Sequence, residues 1–298
     1  MITVDHISKR YGPVEALKDV SISVPRGELF GLIGPDGAGK TTLFRMVVTL
    51  LLADSGTITF DGHDVVSDYR HVRRNVGYMP GTFSLYQDLS VRENLEFFAS
   101  VFQTTVKKNY DLIADIYGML EPFADRRAGA LSGGMKQKLA LCCALIHKPL
   151  VLVLDEPTTG VDAVSRREFW EMLKKLKAQG ITILVSTPYM DEAALCDRIG
   201  LLQDGKLLRS GSPQDITANF DRPLYAAICK EPYPLLLALR KLPELDSVFP
   251  FGTALHITAK EQLDLPALHK ELARQGFSDV ELQPIEPGVE DLFMHLMQ

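Results

Sequence analysis

The chain has 298 residues, and its 32 lysines and arginines against 38 aspartates and glutamates give a formal net charge of −6 at pH 7. This acidic balance counts against a protein that binds nucleic acid through bulk positive charge. Hydrophobic residues make up 46% and charged residues 23% of the sequence, which is ordinary for a globular protein and argues against wholesale disorder. The length predicts about two domains.

The cysteines and the apolar segments indicate the compartment. No CxxC pair is formed by Cys142, Cys143, Cys196 and Cys229, so we interpret them as small core residues in a reducing compartment. No segment reaches the roughly 18 consecutive apolar residues that span a bilayer, and the first residues contain no apolar signal region. We therefore expect a cytoplasmic chain that reaches a membrane only through a partner.

The first 80 residues predict strands separated by turns. Alternation typical of half-buried strands occurs in ITVDHISKRY and VSISV. The apolar strand LFGLIG leads into the glycine-rich segment GPDGAGKTT and then into an apolar helix, LFRMVVTLLLA. A strand, a glycine-rich loop and a helix in this order begin a βαβ unit, and TITFDG follows as another short strand.

The middle of the chain, from residue 88 to about 148, has a helical pattern. Ser90 and Glu93 have the spacing of a capping box. After this region come an apolar strand, a helix over 164–179 and a second apolar strand, LVLVLD and ITILVST being the two strands. Apolar strands that alternate with helices predict a mostly parallel sheet covered on both faces. The stretch LLQDGKLLRSGSPQDI predicts a hairpin that closes the unit.

A second unit is predicted over residues 219–298, after a first domain of 1–218. Its order is strand, helix, strand, strand, helix, strand, in the segments LYAAICK, LLLALRKL, DSVFPF, ALHITAK, LPALHKELARQ and DVELQPI. This order matches a split βαβ pattern in a small α+β domain, with a closing helix near its end. The scattered histidines of this unit form no catalytic constellation, and we interpret His256, His269 and His295 as surface or core residues.

A phosphate-binding loop is predicted at residues 34–41, where GPDGAGKT fits the pattern G-x-x-x-x-G-K-[ST]. Its glycines let backbone N–H groups close around phosphate oxygens, and the next helix adds the positive end of its dipole. We expect Lys40 to reach the β- and γ-phosphates and the Thr41 hydroxyl to hold Mg²⁺. The predicted nucleotide-binding residues of the loop are Gly34, Pro35, Asp36, Gly37, Ala38, Gly39, Lys40, Thr41 and Thr42.

Two carboxylates follow the buried strand LVLVLD. Asp155 is placed to bind Mg²⁺, directly or through water, and Glu156 to polarise a water for in-line attack on the γ-phosphate. Alone, an acidic strand end is a weak signal, since many strands finish in acidic turns. Beside the phosphate loop it predicts a catalytic site formed by Glu156 and Lys40.

A third motif, LSGGMKQ, opens the helix that starts near residue 133. Together with GPDGAGKTT and LVLVLDEPTTGVD, it resembles the ATPases of ATP-binding-cassette (ABC) transporters, over about residues 1–215. The resemblance implies an α/β fold: a P-loop NTPase (RecA-like) core with a mostly parallel sheet, an antiparallel β subdomain and a helical subdomain at about 82–148. The small α+β C-terminal domain would be additional to this cassette.

In that family each nucleotide is sandwiched between two cassettes. The resemblance therefore implies that Ser132 and Gly134 contact the partner cassette's ATP rather than this chain's own. The residues of this partner-site signature are Leu131, Ser132, Gly133, Gly134 and Gln137. Ser132 can also cap its helix, and the glycines allow close backbone approach. Asp162, in TTGVD, would lie at the same dimer interface, and Tyr11 resembles the aromatic residue that stacks on adenine.

The sequence departs from the family at two positions. Gly81 stands where the family has a glutamine that touches Mg²⁺, and Pro188 stands where it has a histidine that hydrogen-bonds the γ-phosphate. Proline has neither a side-chain donor nor a backbone N–H. Our hypothesis is that the chain binds Mg·ATP, hydrolyses it slowly at its own site, and completes an active site in a second, non-identical cassette. The competing interpretation is a homodimer that still hydrolyses ATP through Glu156.

Three further segments, SLYQDLSVRENLEFF, STPYMDEA and EDLFMHL, resemble the ATP-binding subunits of multidrug and daunorubicin-resistance-type exporters. In these, the cassette docks under a separate membrane permease, and the segment after Gly81 would carry that contact. The resemblance implies a peripheral subunit on the cytoplasmic face of the cell (inner) membrane that uses ATP and Mg²⁺. The alternative is a soluble ATP-driven switch of the same family, whose members usually carry two cassettes, coiled-coil insertions or strongly basic segments.

Overall fold

The computed structural model of the protein describes residues 1–218 and 220–297. It divides into a larger unit, Met1–Pro213, and a smaller unit that begins at Gln214. The predicted start and end of the second domain fall on Asn219 and Gln298, which lie outside the described residues. Among the helices of the described ranges, none combines the length and the apolar character that a membrane crossing requires.

The larger unit contains two sheets. The first is antiparallel and consists, in spatial order, of β2 (Val14–Val24), β1 (Ile2–Tyr11), β4 (Ser55–Phe60) and β5 (His63–Asp64). The second has the spatial order β10 (Lys206–Gly211), β9 (Arg198–Gln203), β3 (Leu29–Ile33), β8 (Thr182–Thr187), β7 (Val151–Asp155) and β6 (Val76–Met79). All neighbours in this sheet are parallel except β10, which forms the predicted hairpin with β9.

Helices cover the parallel sheet and form a separate layer beside it. They are α1 (Lys40–Val47), α2 (Tyr69–Asn75), α3 (Val91–Val101), α4 (Tyr110–Tyr117), α5 (Gly133–Leu145) and α6 (Ala163–Ala178), followed by the short α7 (Pro213–Thr217). The predicted capping box starts α3: the Ser90 Oγ accepts from the Glu93 N–H, and the Glu93 carboxylate accepts from the Ser90 N–H. Helices α3, α4 and α5 pack on one another and form the helical subdomain.

One hydrophobic core joins the two sheets of the larger unit. Ile2 and Phe60 reach it from the antiparallel sheet, Phe30 from the parallel sheet and Phe44 from α1, and all four are fully buried. Burying a side chain of this size contributes about 1.5–3 kcal/mol relative to leaving it in water. The core therefore fixes α1 and the loop before it against both sheets.

Helix α1 is shorter than the sequence predicts. The apolar run LFRMVVTLLLA favours a helix to residue 53, but α1 ends at Val47. Thr49 adopts a left-handed conformation with φ 64°, and the N–H groups of Leu50 and Leu51 both donate to the Arg45 carbonyl. This closure satisfies a terminal carbonyl and leaves Leu50 and Leu52 largely exposed.

The smaller unit is an antiparallel sheet with helices. The chain runs β11 (Leu224–Ile228), α8 (Pro232–Leu239), β12 (Leu245–Phe251), β13 (Ala254–Ala259), α9 (Leu265–Arg274), β14 (Glu281–Pro284) and α10 (Val289–Leu296). The spatial strand order β12-β13-β11-β14 is that of a split βαβ arrangement. Together with the cassette architecture of the larger unit, this confirms the predicted fold class.

A hydrogen-bonded pair of side chains attaches α10 to the sheet of the smaller unit. The Nδ1 of His256 on β13 lies 2.6 Å from the Asp291 Oδ1 on α10, and the Asp291 side chain is only 5% exposed. The other oxygen of Asp291 accepts from the Gly288 N–H at 2.8 Å. Asp291 therefore both caps the helix and pairs with the strand.

We expect Asp291→Ala to destabilise the smaller unit by about 3 kcal/mol, because it leaves His256 without its carboxylate and Gly288 without its cap. Hydrogen exchange of the α10 amides measures the effect. His269→Ala, an exposed position on α9, is the control and should leave exchange unchanged. Equal protection of α10 in both variants would show that the pair does not hold the helix.

Candidate functional site

The segment between β3 and α1 forms a tight glycine loop. Gly37 and Gly39 adopt φ values of 81° and 108°, which other residues adopt only with strain. A Cβ on Gly39 would lie 2.5 Å from the Ala16 carbonyl oxygen, and one on Gly34 would overlap the Leu202 carbonyl oxygen. The glycines of the loop therefore meet two requirements: a left-handed backbone conformation and the close approach of neighbouring strands.

Lys40 lies at the first position of α1 and is only 3% exposed. Its Nζ donates to the carbonyl oxygens of Gly34, at 2.8 Å, and Pro35, at 3.0 Å, and pairs with the Glu156 Oε1 at 3.0 Å. These atoms border a cavity of about 150 Å³ lined by Ala16, Gly37, Ala38, Gly39, Lys40, Thr41, Thr42 and Glu156. Asp36 is exposed beside it. The cavity thus brings together the cation and the carboxylate that the sequence assigns to catalysis.

The two predicted carboxylates differ in their surroundings. Asp155 ends β7, is 2% exposed, and its Oδ1 accepts from the Ser186 Oγ at 2.7 Å. Glu156 is 21% exposed and has a left-handed φ of 50°. Its N–H donates to both the Oγ and the carbonyl oxygen of Ser186. A strained backbone of this kind persists only where the surroundings impose it, and here β8 imposes it.

The predicted Mg²⁺ ligands are compatible with that ion. A threonine hydroxyl and an aspartate carboxylate are hard oxygen ligands, and Mg²⁺ usually takes one or two such groups together with substrate phosphates. Thr41 lines the cavity and Asp155 ends the neighbouring strand β7. The described residues contain no cluster of three or more histidine, cysteine or acidic side chains that could hold a metal alone.

The LSGG segment packs against the start of α6. Ser132 caps α5, its Oγ accepting from the Met135 N–H at 3.4 Å, while Leu131 is buried. A Cβ on Gly134 would lie 2.7 Å from the Ser165 Oγ and 2.9 Å from its Cβ. Gly133 and Ser132 are exposed and Gln137 is partly buried. Gly134 therefore has a packing requirement inside this chain, whereas Ser132 and Gly133 face solvent.

Two further predicted site residues lie at the ends of elements, Asp162 at the start of α6 and Tyr11 at the end of β1. Asp162 caps α6, its Oδ1 accepting from the N–H groups of Val164 and Ser165, and the Ser165 hydrogen bonds lower the pKa of its carboxyl. Tyr11 ends β1 and is 47% exposed. The Lys9 Nζ lies 6.0 Å from the centre of its ring.

Comparison with known proteins decides the family. A family model described as ABC transporter matches residues 17–159. The chain is 32% identical over 305 residues to the linearmycin resistance ATP-binding protein LnrL of Bacillus subtilis (strain 168), covering 99% of this chain and 98% of that protein. It is 44% identical over 211 residues to the Nod factor export ATP-binding protein I of Burkholderia orbicola (strain AU 1054), covering 70% and 69%. The chain belongs to the ATP-binding proteins of ABC transporters, a family of ATPases.

A third relative and two solved structures agree with this assignment. The probable multidrug ABC transporter ATP-binding protein YbhF of Escherichia coli (strain K12) is 36% identical over 305 residues, and the chain spans about half (52%) of its length. An ATP-binding subunit of an ABC transporter superposes with a TM-score of 0.67 at 29% identity, covering 74% of this chain and 93% of that one. The cassette MJ0796, a dimer bound to ADP and Pi, gives 0.64 at 26%, covering 71% and 98%.

Both departures from the ABC pattern lie at the nucleotide end of the sheet. Gly81 follows β6, and a Cβ there would lie 3.2 Å from the Asp155 carbonyl oxygen and 3.9 Å from its Cγ. Pro188 follows β8 directly, next to Thr187, whose carbonyl accepts from the Gly34 N–H at 3.3 Å. The two positions thus flank the carboxylate and the phosphate loop, and neither brings a polar side chain.

A buried network that sequence reasoning missed holds the segment around Pro188. The Glu192 carboxylate, 2% exposed, accepts from the hydroxyls of Thr187 and Thr158. The Tyr189 N–H donates to the Thr187 Oγ1 at 3.0 Å. The acidic residue of YMDEA was visible in the sequence, but its distant partner Thr158 was not. The network keeps the segment in place although the histidine of the family is absent.

An apolar groove lies between the parallel sheet and the helical subdomain. Its volume is about 470 Å³, and its lining includes Val48, Leu50, Arg73, Val76, Tyr78, Met79, Pro80, Ser84, Leu85, Phe98, Val101, Phe102, Ala140, Cys143, Ala144 and His147. The His147 ring stacks on Phe102 at 3.7 Å, and its Nε2 donates to the Val76 carbonyl. Burial lowers the pKa of His147, so this ring is uncharged at neutral pH, and Arg73 is the charged side chain in the lining.

We expect Gly134→Ala to destabilise the cassette by about 1–3 kcal/mol, because its Cβ would collide with Ser165. Adding Ser165→Gly removes the colliding atoms and should restore much of the loss. The matched control is Gly133→Ala in the same motif, whose Cβ would have no neighbour closer than 3.7 Å. Thermal unfolding of the three variants measures this. If Gly134→Ala and Gly133→Ala melt at the same temperature, the packing requirement is wrong.

Proposed function

We propose that this chain is the ATP-binding subunit of an ABC exporter for drugs or other small molecules, peripheral on the cytoplasmic face of the inner membrane. It binds Mg·ATP, pairs with a second cassette and drives a membrane permease. The observation that carries the proposal is the cavity in which Lys40 and Glu156 meet beside the glycine loop. The names of its relatives, which include multidrug, Nod factor export and linearmycin resistance proteins, support export.

The residues of the cavity suggest how ATP is received. Lys40 already lies against two loop carbonyls and the Glu156 carboxylate. An arriving γ-phosphate carries more negative charge than that carboxylate, so Lys40 would bind the phosphate in place of Glu156. The released Glu156 carboxylate could then orient a water. Thr41 and Asp155 would hold Mg²⁺, which when bound neutralises charge on the β- and γ-phosphates. Tyr11 would stack on the adenine.

Hydrolysis at this chain's own site is impaired in the proposal. Gly81 and Pro188 supply no side-chain hydrogen bond beside Asp155 and the loop, and losing one such bond in the transition state costs about 10²–10³ in rate. The segment from Leu131 to Gln137 matches the family pattern, and so does Asp162. The segment would complete a site in the partner cassette, so the preferred partner is a different, catalytically complete cassette rather than a second copy.

Restoring the missing side chains tests the impairment. We expect Pro188→His together with Gly81→Gln to raise the single-turnover rate of ATP hydrolysis by at least about tenfold, because each adds a polar contact at the reacting phosphate. Nucleotide binding, measured by calorimetry with Mg²⁺, should stay similar, and Lys40→Ala should abolish it.

Two controls separate chemistry from packing. Pro188→His with Gly81→Ala adds the Cβ near Asp155 but no amide, and should recover less rate than the glutamine variant. Glu156→Gln in the restored chain should remove the gain. A restored chain that hydrolyses no faster than the parent, or a parent that already turns over ATP steadily, would refute the impaired site.

The apolar groove is the proposed contact with the permease. The segment after Gly81 contributes Ser84 and Leu85 to its lining, and Val101 lines it while remaining 57% exposed. His147 Nδ1 is buried and has no hydrogen-bond partner within the part of the chain that the structure describes. An apolar helix of the permease would fill the groove.

We expect Val101→Glu to abolish co-purification of a multi-span membrane protein with the tagged chain, because it places a charge in an apolar interface. ATP binding should persist. Met119→Glu is the matched control: Met119 is also exposed, at 48%, and lies in the helical subdomain outside the groove lining. Equal capture by both variants would place the contact elsewhere, and co-purification with ribosomes would favour the soluble switch.

A further inference from the structure

A basic and apolar surface adjoins the groove on the side of the parallel sheet. Helix α2 carries Arg70, Arg73 and Arg74, which at spacings of three and four residues share one face. Around them lie four exposed apolar side chains: Leu52 (63% exposed), Leu50 (59%), Val66 (57%) and Tyr69 (39%). We call these seven residues the α2 patch.

The arginines of the α2 patch have no carboxylate partner. Among the described residues, no acidic side chain lies within 4.0 Å of any of the three. The two nearest acids in the chain are engaged: Asp64 accepts from the Val66 and Ser67 N–H groups and the Ser67 hydroxyl, and Asp68 faces the His63 ring at 3.3 Å. The patch therefore gathers three arginines without a carboxylate partner in a chain of net charge −6, although the charges of Asp64 and Asp68 remain close to them in the sequence.

The apolar members of the patch are held outward by the backbone. The closure of α1 at Val47 and the left-handed Thr49 leave Leu50 and Leu52 in solvent. Arg73 fixes this turn, since its Nε donates to the Thr49 Oγ1 at 2.7 Å and its Nη2 to the Thr49 carbonyl at 3.0 Å. The guanidinium of Arg73 also lies 5.1 Å from the Tyr69 ring centre. Leucines beside arginines and a tyrosine are the composition of a surface that enters the interfacial region of a bilayer.

The patch is continuous with the groove. Leu50 and Arg73 line the groove, and Arg73 also lines the shallower hollow formed by Thr49, Leu52, Val66 and Tyr69. A cassette seated through the groove on a membrane permease would turn this neighbouring surface toward the same membrane. Nucleic acid fits less well, because a polyanion favours a broad basic surface without projecting leucines.

We propose that the α2 patch binds the anionic phosphate head groups of the membrane that holds the permease, with its leucines entering the acyl boundary. This rests on the proposed function for its orientation. Each basic residue near an anionic surface strengthens binding about fivefold, and salt weakens it. The patch would therefore hold the cassette near the bilayer and leave the groove to select the permease.

Vesicle flotation with the full chain tests the proposal. The probes are vesicles of phosphatidylglycerol and phosphatidylcholine, vesicles of phosphatidylcholine alone, and a duplex oligonucleotide. We expect binding to the anionic vesicles that falls in high salt. Arg70→Glu with Arg74→Glu should weaken it at least about tenfold, and Leu52→Asn should weaken it at constant charge.

The matched control is Arg167→Glu with Arg209→Glu, two exposed arginines outside the patch, which changes the net charge equally and should bind as the parent does. Circular dichroism and thermal unfolding confirm that the variants fold. Three outcomes would overturn the proposal. They are an equal loss of binding in both double variants, equal binding to both vesicle types, and binding of the oligonucleotide in place of vesicles. The vesicles contain no permease, so such a failure leaves the proposed subunit role to its own tests.

Discussion

The alignment of three parallel strands at their carboxyl ends determines where the predicted phosphate loop, the two carboxylates and residue 188 lie. In the register, Ile33 of β3 pairs with Thr187 of β8, and Asp155 of β7 pairs with Ser186. The loops that follow are then tied across the strands: the Gly34 N–H donates to the Thr187 carbonyl and the Glu156 N–H to the Ser186 carbonyl. Ligands in open α/β sheets bind beyond these strand ends. Shifting one strand would therefore move the residues that follow it out of alignment with those of the other two strands.

This constraint also explains why the fold and the phosphate site could be read from the sequence. Apolar strands that end in GPDGAGKTT and in Asp155 and Glu156 require one edge of a parallel sheet, and the edge fixes their proximity. The sequence did not reveal the pairing of Lys40 with Glu156, which depends on side-chain rotamers, nor the Glu192 network, whose partner Thr158 lies 34 residues away. The sequence also did not show that Ser165 of the same chain leaves no room for a side chain at residue 134. Nucleotide contact alone would explain the glycine of LSGG.

The sequence pattern predicted the wrong end for α1, because backbone hydrogen bonds there outweigh the pattern of apolar side chains. The run after Val47 is apolar enough to continue α1, but Thr49 in the left-handed region turns the chain. Helix α2 escaped notice for the opposite reason: YRHVRRN contains a single buried residue, Val72, so its hydrophobic periodicity is weak. Both errors fall on the α2 patch, where exposed leucines and arginines violate the patterning that makes soluble elements predictable. Such violations are expected at functional surfaces.

The two departures from the ABC pattern differ physically, although both remove a polar side chain. Gly81 is next to the Asp155 backbone, so a longer side chain there must displace a neighbour by a few tenths of an ångström. Pro188 lies in a segment that the Thr187 and Glu192 hydrogen bonds hold independently of residue 188. The segment around Pro188 is thus held without a contribution from residue 188, whereas a side chain at residue 81 would press against Asp155. The glycine loop and the LSGG segment keep their packing, whereas Gly81 and Pro188 bring no side-chain donor. This combination is the physical basis of our proposal that the chain binds nucleotide and completes a site in a different cassette.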